Sequence, residues 1–128
     1  MTLLFVVVVS GFPAAQRRPY NVIMKEMGAA ADSLRKDLES DPAAVVATAS
    51  RLEGLLKETE DFWTQFKTKD AIEAAKGARE VTLAVAAAAK SKDLQKASNT
   101  ASGLGKFCAA CHNSHREQLP DKTYRIRP

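Results

Sequence analysis

Cys108-Ala-Ala-Cys111-His112 is the one stretch of this chain where residue type and spacing together specify a chemistry. Thiols three residues apart lie about one helical turn from each other, so both can reach the same edge of a flat molecule. This fits addition of the two thiols to the two vinyl groups of a porphyrin, the covalent attachment of a c-type haem. His112 follows the second attachment point directly. Its imidazole is then held beneath the ring, where it can supply the proximal axial ligand to iron.

Two other chemistries use a Cys-x-x-Cys pair. A thiol-disulfide protein wants a strand leading into the motif and alternating β and α elements, whereas the residues upstream read as helical throughout. A zinc site of Cys and His would need Cys108, Cys111, His112 and His115 together, because the chain holds two cysteines and two histidines. Ligands packed so closely along one helix cannot surround an ion tetrahedrally without unwinding it. The histidine right after the pair favours haem over both. No paired carboxylates with a pocket, glycine-rich phosphate loop or nucleophile triad is visible, so catalysis on an organic substrate is not expected and the chain is read as a non-enzyme.

The elements that must position this motif begin after an apolar leader. Leu3 to Val9 is an unbroken apolar run followed by Ser10, Gly11, Pro13, Ala14 and Ala15. It reads as a secretory signal over residues 1–15, cut near Ala14 or Ala15, and is too short to span a bilayer. No Lys or Arg precedes the run and Pro13 suits such a cut poorly; a buried strand is the competing reading. Export implies a bacterial periplasmic location, consistent with haem attachment outside the cytoplasm. Residues 16–128 then form a single domain, with no membrane span after processing.

The net charge of +4 is too mild to mark a nucleic-acid binder. Acidic and basic residues mix along the middle, while Arg17 and Arg18 at one end and Lys122, Arg125 and Arg127 at the other are locally basic. These are either solvated surface or a docking patch for an acidic redox partner protein.

Tyr20, Met24, Met27, Ala31, Leu34 and Leu38 recur at steps of four and three, the apolar seam of a first helix from about Pro19. Ser40-Asp41-Pro42 is a stop and restart, with Asp41 as N-cap and Pro42 at the first helical position. The second helix carries Val45, Ala49, Leu52, Leu56, Thr59, Trp63 and Phe66 in the same rhythm, and Phe62, Trp63 and Phe66 read as core. A third runs from near Asp70 to Lys90. Its alanine-rich end offers close helix packing or room for a flat cofactor.

After Ser91-Lys92-Asp93 a last helix shows Leu94, Ala97, Ala101, Leu104, Cys108, Cys111 and His115 in phase, ending near Leu119. Gly103 and Gly105 weaken its middle. These segments predict an all-α antiparallel four-helix bundle, with the cysteines on its buried stripe and residues 121–128 as a polar tail. His115 faces away from His112 and reads as a packing or rim residue, and Phe107 is placed to pack beside the ring. On residue type alone Met24 would be core filler.

The motif with its flank, Cys108-Ala-Ala-Cys-His-Asn-Ser-His-Arg116, in the last of four helices, resembles the cytochrome c-prime family over residues from about 17 to 119. Small cytochromes c of the ordinary kind carry the motif near the start of the chain. Arg116, four residues beyond His112, matches the basic residue that family members commonly have there, and would pair with a haem propionate or sit at the surface. The aromatic residue often found just before it is His115 here.

The family has two branches. In one, an apolar side chain of the first helix covers the far side of five-coordinate iron, which binds gases such as nitric oxide or carbon monoxide; in the other, a first-helix methionine completes six-coordinate iron suited to electron transfer. Tyr20-Asn-Val-Ile-Met24-Lys-Glu-Met27 resembles the second branch, with Met24 at the ligand position and Met27 one turn on. Tyr20 stands where many relatives have arginine. The resemblance implies one haem c, held through Cys108 and Cys111 with His112 and Met24 on the iron, in an electron carrier that is a monomer or, as in some relatives, a homodimer through helices 1 and 2.

Overall fold

Apolar residues at steps of three and four build α1 (Tyr20–Asp37), α2 (Pro42–Phe66), α3 (Lys69–Lys90), α4 (Leu94–Ala101) and α5 (Gly105–His115). The computed structural model describes residues 17–128; the apolar run and its expected cleavage point lie outside the described residues. No helix among the described residues is long and apolar enough to cross a membrane.

The helix starts follow the expected chemistry. Asp41 caps α2, its carboxylate accepting from the Ala44 N–H at 3.0 Å, with Pro42 leading the helix. Asp93 caps α4 in the same way through Lys96 N–H. α2 ends on Lys67 in the left-handed conformation, φ 55°, and Lys69 at once begins α3. α1 packs on α2, α2 on α3, and α3 on both α4 and α5.

One half of the molecule is solid. Ile23, Ala30 and Leu34 of α1 meet Val45, Leu52 and Leu55 of α2, Val85, Ala88 and Ala89 of α3, and Ala97 of α4 in a single apolar core. The alanine-rich end of α3 thus serves close helix packing and leaves no space for a cofactor there. Arg79 adds a polar tie between α3 and α2, donating to Glu53 and to Glu60 at 2.7 Å each.

The last expected helix is two. After α4 the chain tightens through bonds from Gly103 N–H to Thr100 O and from Leu104 N–H to Ala101 O, a 3₁₀-like turn, before α5 resumes. α5 stops at His115, not near Leu119, because Arg116 adopts an extended backbone, φ −120° and ψ 123°. β1 (Arg116–Gln118) then pairs antiparallel with β2 (Tyr124–Ile126), Arg116 opposite Ile126 and Glu117 opposite Arg125. The expected polar tail therefore holds a strand. Its turn is set by Asp121, whose carboxylate accepts from Thr123 N–H at 2.9 Å.

Phe107 seats α5 on α3, over Gly77. A Cβ built on Gly77 would lie 2.3 Å from Phe107 Cε1, so only glycine allows this approach. Gly77→Ala is expected to destabilise the chain by about 1–3 kcal/mol through overpacking. At Gly54, exposed on α2 with nothing within 4 Å of the same built atom, alanine should instead stabilise by about 0.5–1 kcal/mol. Urea unfolding of the two variants, with opposite shifts in midpoint, checks both.

Candidate functional site

The other half of the molecule is hollow. A cavity of about 740 Å³ opens between α1, α2, α3, α5 and the hairpin, inside the range of roughly 300–1,000 Å³ usual for small-molecule and cofactor sites. Cys108, Cys111, His112, Met24 and Arg116 all line it, and so does Met27. Every site residue expected from the sequence therefore meets in one place.

Each wall has a local cause. The α1 stripe divides: Ile23, Ala30 and Leu34 enter the solid core, while Tyr20, Met24, Met27 and Ala31 face the cavity. α3 presents Ala71, Ala74, Ala75 and Ala78, one flat face of small side chains at helical spacing. No residue of α5 is fully buried. The cysteines are thus half-buried beside open space, not sealed in a helix seam as the periodicity implied.

Burial pushes the Cys108 thiol up from its ordinary value. Cys111 is raised by burial first, then by the Asp70 carboxylate and Cys108, against an opposing hydrogen bond from Tyr20. Both shifts run opposite to the depressed values that mark reactive Cys-x-x-Cys thiolates. Burial and then the Arg116 charge lower His112, which favours the neutral imidazole, the form that can donate a lone pair to a metal. Among the described residues no group of three or more His, Cys, Asp or Glu side chains is arranged to hold a metal ion.

The aromatic residues close the α2 end of the cavity. Trp63, 1% exposed, donates through Nε1 to the Tyr20 hydroxyl at 3.0 Å, and Tyr20 stacks on Phe62 at 4.2 Å between ring centres. Burial drives the Tyr20 hydroxyl up to about 12. Phe66, expected in the core, is 48% exposed at the last turn of α2, with its ring against Phe62 and Trp63. Arg116 also departs from expectation. It begins a strand, so its guanidinium lies over the Tyr124 ring at 4.2 Å, set by the hairpin more than by helical spacing from His112.

His115 is the residue whose role the sequence concealed. Its Nδ1 lies 2.8 Å from the Arg127 carbonyl oxygen and its Nε2 2.8 Å from Asp70 Oδ2, while its ring packs on Trp63 at 4.9 Å. Both polar partners are acceptors. Each ring nitrogen faces one of them. With both nitrogens engaged, His115 joins the end of α5 to the start of α3 and to the end of β2, and is not free to ligate iron.

Two of the basic residues expected in a docking patch are held by glutamates. Arg18 bridges Glu26 at 2.9 Å and Glu58 at 2.6 Å, and Arg125 pairs with Glu117 at 2.7 Å. Comparison of the chain with protein-family models, curated proteins and solved structures finds no match.

The hydrogen bond from His115, with its charge, holds the Asp70 carboxyl below the ordinary aspartate value of 3.8. A depressed carboxyl contributes stability that is present above its unfolded value and lost as pH falls through the lowered one. The chain should accordingly be more stable than Asp70→Asn near neutral pH, and the gap should close as pH drops below 3.8. Urea unfolding of both proteins over that range measures it.

Proposed function

We propose that this chain is an exported, single-haem c-type cytochrome that carries electrons, with Cys108 and Cys111 as the attachment points, His112 as the proximal ligand and Met24 as the ligand on the other side of the iron. One observation carries the reading. The Cys-Ala-Ala-Cys-His face of α5 borders a cavity of about 740 Å³ whose other walls include the apolar stripe of α1 and the alanine face of α3. Apolar stripes that face a cavity call for a large apolar body between them. A porphyrin is such a body, and flat alanine walls suit it.

The donor set agrees. His112 and Met24 both border the cavity, where an imidazole and a thioether would hold the iron of a bound haem. Haem, when bound, supplies one-electron exchange at its iron. The chain supplies the rest. His112 offers a nitrogen lone pair, and Met24 a soft thioether that favours the ferrous state and raises the potential. Tyr20, Trp63 and the alanines exclude water. On this reading α1, α2, α3 and the α4–α5 segment form one antiparallel bundle of the kind seen in cytochromes c-prime, its open end filled by the cofactor. Electrons pass to a partner protein at the mouth of the cavity, in the periplasm.

The holoprotein is expected to be heavier than the processed polypeptide by one haem, with the adduct lost in Cys108→Ala/Cys111→Ala. In the ferrous state the parent should resist carbon monoxide, and Met24→Ala should bind it readily, followed by the Soret band. Ready binding by the parent, unaltered by the substitution, would remove the methionine ligand and leave a five-coordinate gas binder.

A further inference from the structure

The C-terminal hairpin has two unlike faces. Strand register puts Arg116, Gln118, Tyr124 and Ile126 on one side of the ladder and Glu117 with Arg125 on the other. The outer side carries an ion pair, Arg125 to Glu117 at 2.7 Å. On the inner side Arg116, Tyr124 and Ile126 all border the cavity, and Glu117 does not. Four large apolar side chains stay exposed among the described residues, namely Val22, Phe66, Leu83 and Tyr124, and of these Tyr124 alone borders this cavity. It remains 53% exposed although Arg116 already stacks on its ring at 4.2 Å.

Two strands of three residues are marginal in water by themselves, and an exposed ion pair adds little. Hydrogen bonds between His115 and Arg127 fix one end of the ladder. Its inner side, however, meets a cavity where a folded hairpin has a core. We infer that the hairpin is a wall of the ligand site, in which Tyr124 and Ile126 pack on the flat apolar ligand and shield it from water while Glu117 and Arg125 stay in solvent. This rests on the haem reading and adds to it a segment beyond the resemblance to cytochromes c-prime, which ends near residue 119. The apolar surface of Tyr124 that the protein leaves uncovered is then covered by the ligand, so filling the cavity also orders β1 and β2.

The test titrates the full chain, prepared without attached haem, with iron mesoporphyrin IX, whose ethyl groups cannot form thioethers, and follows the Soret band. Tyr124→Ala and Ile126→Ala should each weaken binding about tenfold. Tyr124→Phe keeps the ring and should bind like the parent. Glu117→Gln breaks the ion pair on the outer side and should leave affinity unchanged. In the parent, amide exchange across residues 117–126 should slow when the probe is added. Equal losses in Tyr124→Ala and Glu117→Gln would make the hairpin a structural support only, and that result would overturn the wall. Full affinity in every variant, with hairpin exchange unaltered by the probe, would also overturn it while leaving the haem cavity intact. A parent that does not bind the probe would remove the haem reading and the wall with it.

Discussion

The hollow half of the molecule depends on the two hydrogen bonds of one imidazole. α5 buries no residue completely, so apolar packing alone holds it weakly; Phe107 over Gly77 is its chief contact with α3. His115 closes the other end, reaching Asp70 across the cavity wall and Arg127 at the end of β2. Arg127 N–H returns a bond of 2.8 Å to the His115 carbonyl oxygen. Without those ties the helix that bears both cysteines would keep only its packing on α3 and the stacking of the His115 ring on Trp63.

This arrangement divides labour along the helices. Toward α4, the side chains of α1, α2 and α3 interdigitate and leave no room, as cores of ordinary density do. Toward α5, the same three helices turn small or adaptable residues inward: Ala71, Ala74, Ala75 and Ala78 on α3, Met24 and Met27 on α1. A ligand that fills this space adds its burial energy to the folded state alone, so stability and occupancy are linked. The solid half gives the fold its independence from that ligand, and the hollow half gives the ligand a prepared surface.

What the sequence revealed follows from which forces act locally. The helix start at Asp41 is decided within four residues and the seam of α2 by periodicity, so both were legible; on α1 the periodicity took Tyr20, Met24, Met27 and Ala31 and missed the buried Ile23 and Ala30. The break between α4 and α5 was not legible, because Ala101, Leu104, Cys108 and Cys111 keep the four and three steps through the 3₁₀-like turn; Gly103 and Gly105 marked a weak middle but not a break. Two strands of three residues are too short for alternation to register, although Leu119-Pro120-Asp121 carried a turn signal that the polar composition masked. The partners of His115 lie 45 and 12 residues away in the chain. Distant polar pairing of that kind leaves no trace in spacing. The cysteine motif could be read at once, but the cavity beside it is a tertiary product of alanines that look like ordinary helix filler.

The 3₁₀-like turn at Ser102–Leu104 has a consequence for how the molecule comes apart. Local opening draws on segments with few buried contacts, and everything beyond that turn belongs to this class. α5 and the hairpin, joined to each other through His115 and Arg127, are therefore where local opening is expected to begin. Amide exchange in this terminal segment is then expected to report local opening and not global unfolding.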